Sequence, residues 1–147
     1  MARIHDPAFR ESAKGRLNAL RPDAQRAWGK MSVDQMLWHV NCGLENALGR
    51  FPVAKMQVPL PAVLMKFLVM RVPWRKGNTP TAPELVAQRG YDFEAERSRT
   101  VQLLDEFSAK PIDGPWGDSA FLGAMTGREW SRLMAKHVDY HLKQFGA

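Results

Sequence analysis

His137 and His141 stand four residues apart near the end of this 147-residue chain, and two imidazoles at that spacing can do metal chemistry. Residues i and i+4 of a helix share a face, with Cβ atoms about 6 Å apart. Both rings can then reach one divalent ion at nitrogen–metal distances of about 2.0–2.1 Å. The competing reading is two core histidines hydrogen-bonded to Gln144, to a backbone carbonyl or to water. Spacing alone is only modestly specific between the two. A third ligand would decide, and His39 offers itself from an earlier helix. Taken singly, a histidine at the edge of an apolar stripe is an ordinary core residue; beside the His137/His141 pair it becomes the missing third ligand.

Other polar groups lie close enough in sequence to enter the same site. Cys42, one turn after His39, can ligate in principle, but a free buried cysteine usually acts as a small hydrophobe. Asn46, two turns after His39, is a candidate contact to a ligand or an ordinary flanking polar residue. His5 precedes the first helix, where a solvated or capping role is expected. Asp139, between the paired histidines, is turned away by about 160–200° on the helix, so this is not the arrangement in which a carboxylate sits beside a metal-bound water. No general base is evident. Three histidine ligands would leave coordination positions open, as in catalytic rather than structural sites. Water or a thiolate on such an ion becomes reactive near neutral pH. Because imidazoles ligate only when neutral, affinity should fall as the pH drops through about 6.5.

The elements that must position these rings are helices. Thr126 and Glu129 form a capping-box signature, so a final helix begins near Thr126. At about 100° per residue it carries Trp130, Leu133, Met134, His137 and His141 on one stripe, with Arg132, Lys136, Asp139 and Lys143 opposite. Ser32 and Gln35 are a second capping box; they open helix two, which Gly49 and Pro52 close. Its inward stripe is Met36, Val40, Gly43, Leu44 and Ala47, with His39 at the edge. Asp6-Pro7 caps helix one, along which Phe9, Ala13, Leu17 and Leu20 recur until Arg21-Pro22. Trp28, in the connection that follows, is expected to plug one end of the core. Helix three runs from Tyr91 or Asp92 to Phe107, with Phe93, Val101, Leu104 and Phe107 inward and its many charges on a solvated face. Between helices two and three, prolines and glycines break the chain repeatedly. That long crossover holds a short apolar helix near Pro61 to Met70, a turn at Pro83-Glu84-Leu85, and Trp74, which either lines a pocket mouth or packs an irregular loop.

Composition narrows the remaining classes. The chain is expected to be one domain, residues 1–147, large enough to bury a core without disulfides. Cys42 is the single cysteine, so nothing argues for an oxidising compartment, and the first residues lack the apolar core of a signal peptide. The cytoplasm is the expected location. The apolar stretch from Val58 to Val72 is interrupted by Lys66 and is shorter than the roughly 20 residues a membrane span needs. A net charge of +6 invites a nucleic-acid reading, but the basic residues are scattered among acidic ones. Solubility and steering of anionic ligands are the expected consequences, and no specific nucleic-acid role is expected.

Three segments resemble one family: Trp28-Gly-Lys-Met-Ser-Val-Asp-Gln-Met-Leu-Trp-His39, Asn78-Thr-Pro-Thr-Ala-Pro-Glu84, and Phe121-Leu-Gly-Ala-Met-Thr-Gly-Arg-Glu-Trp130 leading to His137 and His141. Together with the helix order they resemble the DinB/YfiT-like superfamily of metalloenzymes, in particular a branch without assigned function. The resemblance covers essentially the whole chain. It implies an all-α four-helix bundle with down-up-up-down connectivity and a long crossover between helices two and three. It further implies a three-histidine site at one end of the core, His39, His137 and His141, holding nickel or zinc, in a homodimer. By analogy with better-understood relatives, the expectation is a divalent-metal-dependent enzyme of hydrolase or low-molecular-weight thiol transferase type acting on a small molecule such as a thiol. The alternative is a non-catalytic metal- or ligand-binding module.

Overall fold

The architecture comes from a computed structural model that describes residues 1–147. The chain is all-helical: α1 (Pro7–Ala19), α2 (Val33–Ala47), α3 (Ala62–Arg71), a 3-10 turn (Pro83–Leu85), α4 (Phe93–Ala109) and α5 (Gly127–Gln144). The only strand-like contact is an isolated bridge between Ser119 and Gly123. No helix is long and apolar enough to cross a membrane.

The helix starts follow the capping chemistry. At α5, Thr126 N–H donates to the Glu129 carboxylate (2.8 Å) and Glu129 N–H donates to the Thr126 hydroxyl (3.2 Å). At α2, Ser32 N–H donates to Gln35 Oε1 (3.0 Å), and at α4 Ala95 N–H donates to the Asp92 side chain (2.8 Å). These bonds satisfy amides that a helix leaves without partners. At α1 the cap position is as expected, but the Asp6 side chain accepts from Arg3 N–H (2.9 Å) and makes no bond into the helix. Proline at the first helical position removes one orphan donor there.

Packing runs through α2, which lies against α4 and α5, while α1 closes the other side against the same two helices. The shared core contains Leu17, Met36, Leu37, Leu44, Leu103, Leu104, Phe107, Val138 and Leu142, all nearly inaccessible to solvent. Phe93, Leu104 and Phe107 of α4 are buried as the pattern predicts. Val101 is only half-buried, and Leu103 with Thr100 takes the deeper place. The charges of α4 also depart from a purely solvated face. Glu96 accepts from Asn41 (2.8 Å) and Arg99 pairs with Glu45 and with Glu106, so these side chains lie along the seam with α2.

Between α2 and α4 the chain crosses the molecule and carries α3, which has no buried residue of its own. Two lysines tie α3 to α5. Lys66 Nζ contacts the Glu129 carboxylate (3.2 Å), and Lys136 Nζ donates to the carbonyls of Val69 and Val72 (2.6 Å each). Lys136 therefore does not point away from the fold. It caps the end of α3, where a cation is favoured by the unpaired carbonyls.

Candidate metal centre

His39 comes from the middle of α2 and His137 and His141 from the last turns of α5, with relative exposures of 5%, 9% and 6%. Their candidate ligand nitrogens all lie within 4.8 Å of one another. His39 Nε2 is 2.9 Å from His137 Nε2. Two nitrogens bound to one ion at about 2.0–2.1 Å, roughly 90–110° apart, are separated by about 2.9–3.4 Å. That pair already stands at ligand spacing. Drawing a pair at the widest spacing into the same shell takes a closure of about 1.4–1.9 Å between the two nitrogens.

Hydrogen bonds set the tautomers of two rings. His39 Nδ1 is 2.8 Å from the Leu85 carbonyl, which can only accept, so Nδ1 carries the proton and the lone pair is at Nε2. His141 Nδ1 is 2.8 Å from Gln144 Oε1, and that amide is held in orientation because Gln144 Nε2 donates to the Trp28 carbonyl (2.8 Å). His141 therefore also presents Nε2 as its lone pair. His137 differs: its Nδ1 is buried without a partner. Burial lowers the pKa of all three imidazoles. At His137 the neighbouring His141 and His39 add to burial; at His141, burial and His39 outweigh the bond donated to Gln144 and bring the value to about 3. The rings are neutral at neutral pH, as ligation requires. Protons compete for these nitrogens only below the ordinary value of about 6.5, a lower window than the sequence alone suggests.

The donor set fits a divalent ion of the kind that imidazole nitrogens bind. It consists of three neutral imidazoles, two of them oriented by partners on the opposite nitrogen, as metal-binding histidines are. Cys42 stands apart from the cluster. Burial, with Glu96 and Glu45 nearby, pushes its thiol up to about 12, so it stays protonated.

The DinB superfamily model matches residues 10–145. The chain belongs to the DinB superfamily. No curated protein and no solved structure matches it.

Several residues that shape the site of this DinB-family chain are not legible as site residues from sequence. Gly43 is one. A Cβ there would stand 3.1 Å from His137 Cε1 and 3.3 Å from its Nδ1, so its absence lets the ring lie against α2. Gly29 is another: its φ of +80° and a Cβ position 2.6 Å from Gln144 Nε2 reserve it for glycine. Trp28 is half-buried and joins a wall rather than plugging the core. Its indole N–H donates to the Tyr140 hydroxyl (3.0 Å), which also accepts from Gly77 N–H (3.3 Å) and donates to the Arg75 carbonyl (2.9 Å). Trp74, whose ring centroid is 6.1 Å from that of His137, extends the same wall.

A cavity of about 740 Å³ opens beside the three histidines, between α2, α5, α3 and the crossover. Asn46 is on its lining, with its amide donating to the Phe51 carbonyl (2.8 Å). His5 is half-buried and makes no cap to α1. It bonds Ser131 Oγ (2.9 Å) and the Lys110 carbonyl (2.9 Å) on the far side of α5, and it is not part of the site.

Proposed function

We propose that this DinB-family protein is a divalent-metal-dependent enzyme in which His39, His137 and His141 hold the ion through Nε2. The carrying observation is the convergence of three buried imidazoles, two of which have the opposite nitrogen engaged by Leu85 and Gln144. A bound divalent ion supplies Lewis acidity, which activates water or a thiol near neutral pH. The chain's own residues orient the ligands and surround the open side with the cavity. Family membership supports reading α1, α2, α4 and α5 as a single-domain four-helix bundle, with residues between α2 and α4 as its crossover. The reaction class we favour is hydrolysis or transfer of a low-molecular-weight thiol, with nickel or zinc as the ion, in a cytoplasmic homodimer.

One observation favours a second reading. At 2.9 Å, His137 can donate to His39 directly, giving a neutral ring pair that needs no ion. In that case the protein is a binding module. Metal content of untagged protein, measured by mass spectrometry, separates the two. One equivalent in the native chain and none in His137→Ala supports the metal centre; no ion under several metal and pH conditions overturns it. Turnover of a thiol conjugate or an ester by the loaded protein then distinguishes an enzyme from a metal-binding module.

A further inference from the structure

The cavity beside the three histidines has an unusual balance of chemistry. Formal charge on its lining is confined to Lys30, an exposed residue, and no carboxylate faces it. Its polar side chains are largely engaged with the protein. The indole N–H groups of Trp28, Trp74 and Trp130 donate to Tyr140, to the Val69 carbonyl and to the Gly117 carbonyl. The Tyr140 hydroxyl accepts twice and donates once. Gln144 bridges His141 and Trp28, and Gln35 is held by Ser32 and the Arg89 carbonyl. Most of what faces the space is carbon, from residues such as Met65, Leu68, Val69, Phe121, Leu133 and Met134, with the imidazoles at one place and Asn46, Thr79, Thr81 and Ser119 as the remaining polar side chains.

A ligand rich in hydroxyls, amides or carboxylates would bring more polar groups than this wall can satisfy, and each one left over would lose its hydration without compensation. The volume, about 740 Å³, lies in the range of sites that enclose a small organic molecule. We infer that the cavity takes a small molecule with an apolar, uncharged body and a single metal-binding head, rather than a hydrophilic thiol of sugar or peptide type. The head rests on the metal-centre reading; the body rests on the cavity alone.

The test uses n-alkanoates from butanoate to decanoate, with n-alkanols of equal length and glutathione as comparisons, titrated calorimetrically into zinc-loaded and metal-free protein. Each added methylene should tighten binding about fourfold in both forms until the cavity is filled. Alkanoates should surpass alkanols only in the zinc-loaded form. Leu68→Glu, a change at a partly exposed wall position, should weaken decanoate at least tenfold and leave zinc stoichiometry unchanged. Affinity that does not depend on chain length in either form, or glutathione binding more tightly than octanoate, overturns the inference. Failure to take up zinc removes the head and the metal centre together, while the chain-length dependence in metal-free protein still decides the apolar body.

Discussion

Gln144 governs which nitrogen of His141 is open. Its Oε1 accepts from Nδ1, and its amide is anchored by the Trp28 carbonyl. Gln144→Leu should therefore leave the ring free to take either tautomer and weaken metal binding about 10–100-fold, as measured by competition against a chromophoric chelator. An unchanged affinity would show that the bond does not orient the ligand. The lowered pKa values of the three rings also fix the sign of a pH effect on the metal-free protein. The unfolded chain binds protons at these histidines near pH 6.5, whereas the folded chain resists, so the stabilisation is complete above that value and is lost as the pH falls below it. Denaturant unfolding between pH 7 and 5 should show stability falling by up to about 1.4 kcal/mol per pH unit for each histidine, with a smaller slope in His137→Leu. Carboxylates do not obscure this window. Asp34, Glu129 and Asp139 titrate below their ordinary values because hydrogen bonds and ion pairs outweigh their burial. At this scale the sequence exposed the three rings, since their spacing and helical faces are local properties. It could not expose Leu85, whose contribution is a backbone carbonyl with no side-chain signature, nor Gly43, whose role is an absent atom beside a ring 94 positions later in the chain.

The elements follow local rules where the chain is regular. Capping boxes at Ser32 and Thr126 mark two helix starts within a residue, because the bonds that define them span only three residues. The part played by α3 is different. Its ten residues contain no buried side chain, and its apolar composition gives no sign of which face meets the protein. Beside the Lys66–Glu129 contact and the packing of Met65, Val69 and Met70, its end is held by Lys136, a residue that helical periodicity puts on the outer face of α5. Burial lowers the pKa of this lysine, yet its ammonium serves two carbonyls at the end of α3. Lys136→Met should leave those carbonyls without their donor. Amide exchange over residues 62–71 should then accelerate at least tenfold relative to the native protein, with protection in the middle of α5 retained. Equal exchange in both proteins would place the attachment of α3 elsewhere, in the Lys66–Glu129 contact.

For the whole molecule, the candidate site joins residues separated by 98 positions, His39 and His137, so only the folded chain presents all three rings together. An ion that binds this state and not the unfolded one stabilises it by about 2.7 kcal/mol at a hundredfold excess over Kd. For a chain of this length that raises the melting temperature by roughly 5–11 °C. Thermal unfolding with and without zinc should show this rise in the native protein and none in His39→Ala; a rise of equal size in both would mean that the ion binds elsewhere. The all-helical class was readable because amphipathic periodicity is written along each helix. The cavity was not, because it arises where the crossover lies across α2 and α5, and no local pattern records that placement. The indole of Trp74, so near His137, brings a further consequence. Of the emission from the five tryptophans, the part that Trp74→Phe removes should be an internal optical gauge of the site, dimming when a paramagnetic ion such as nickel arrives and shifting in colour when a guest enters, with no label attached.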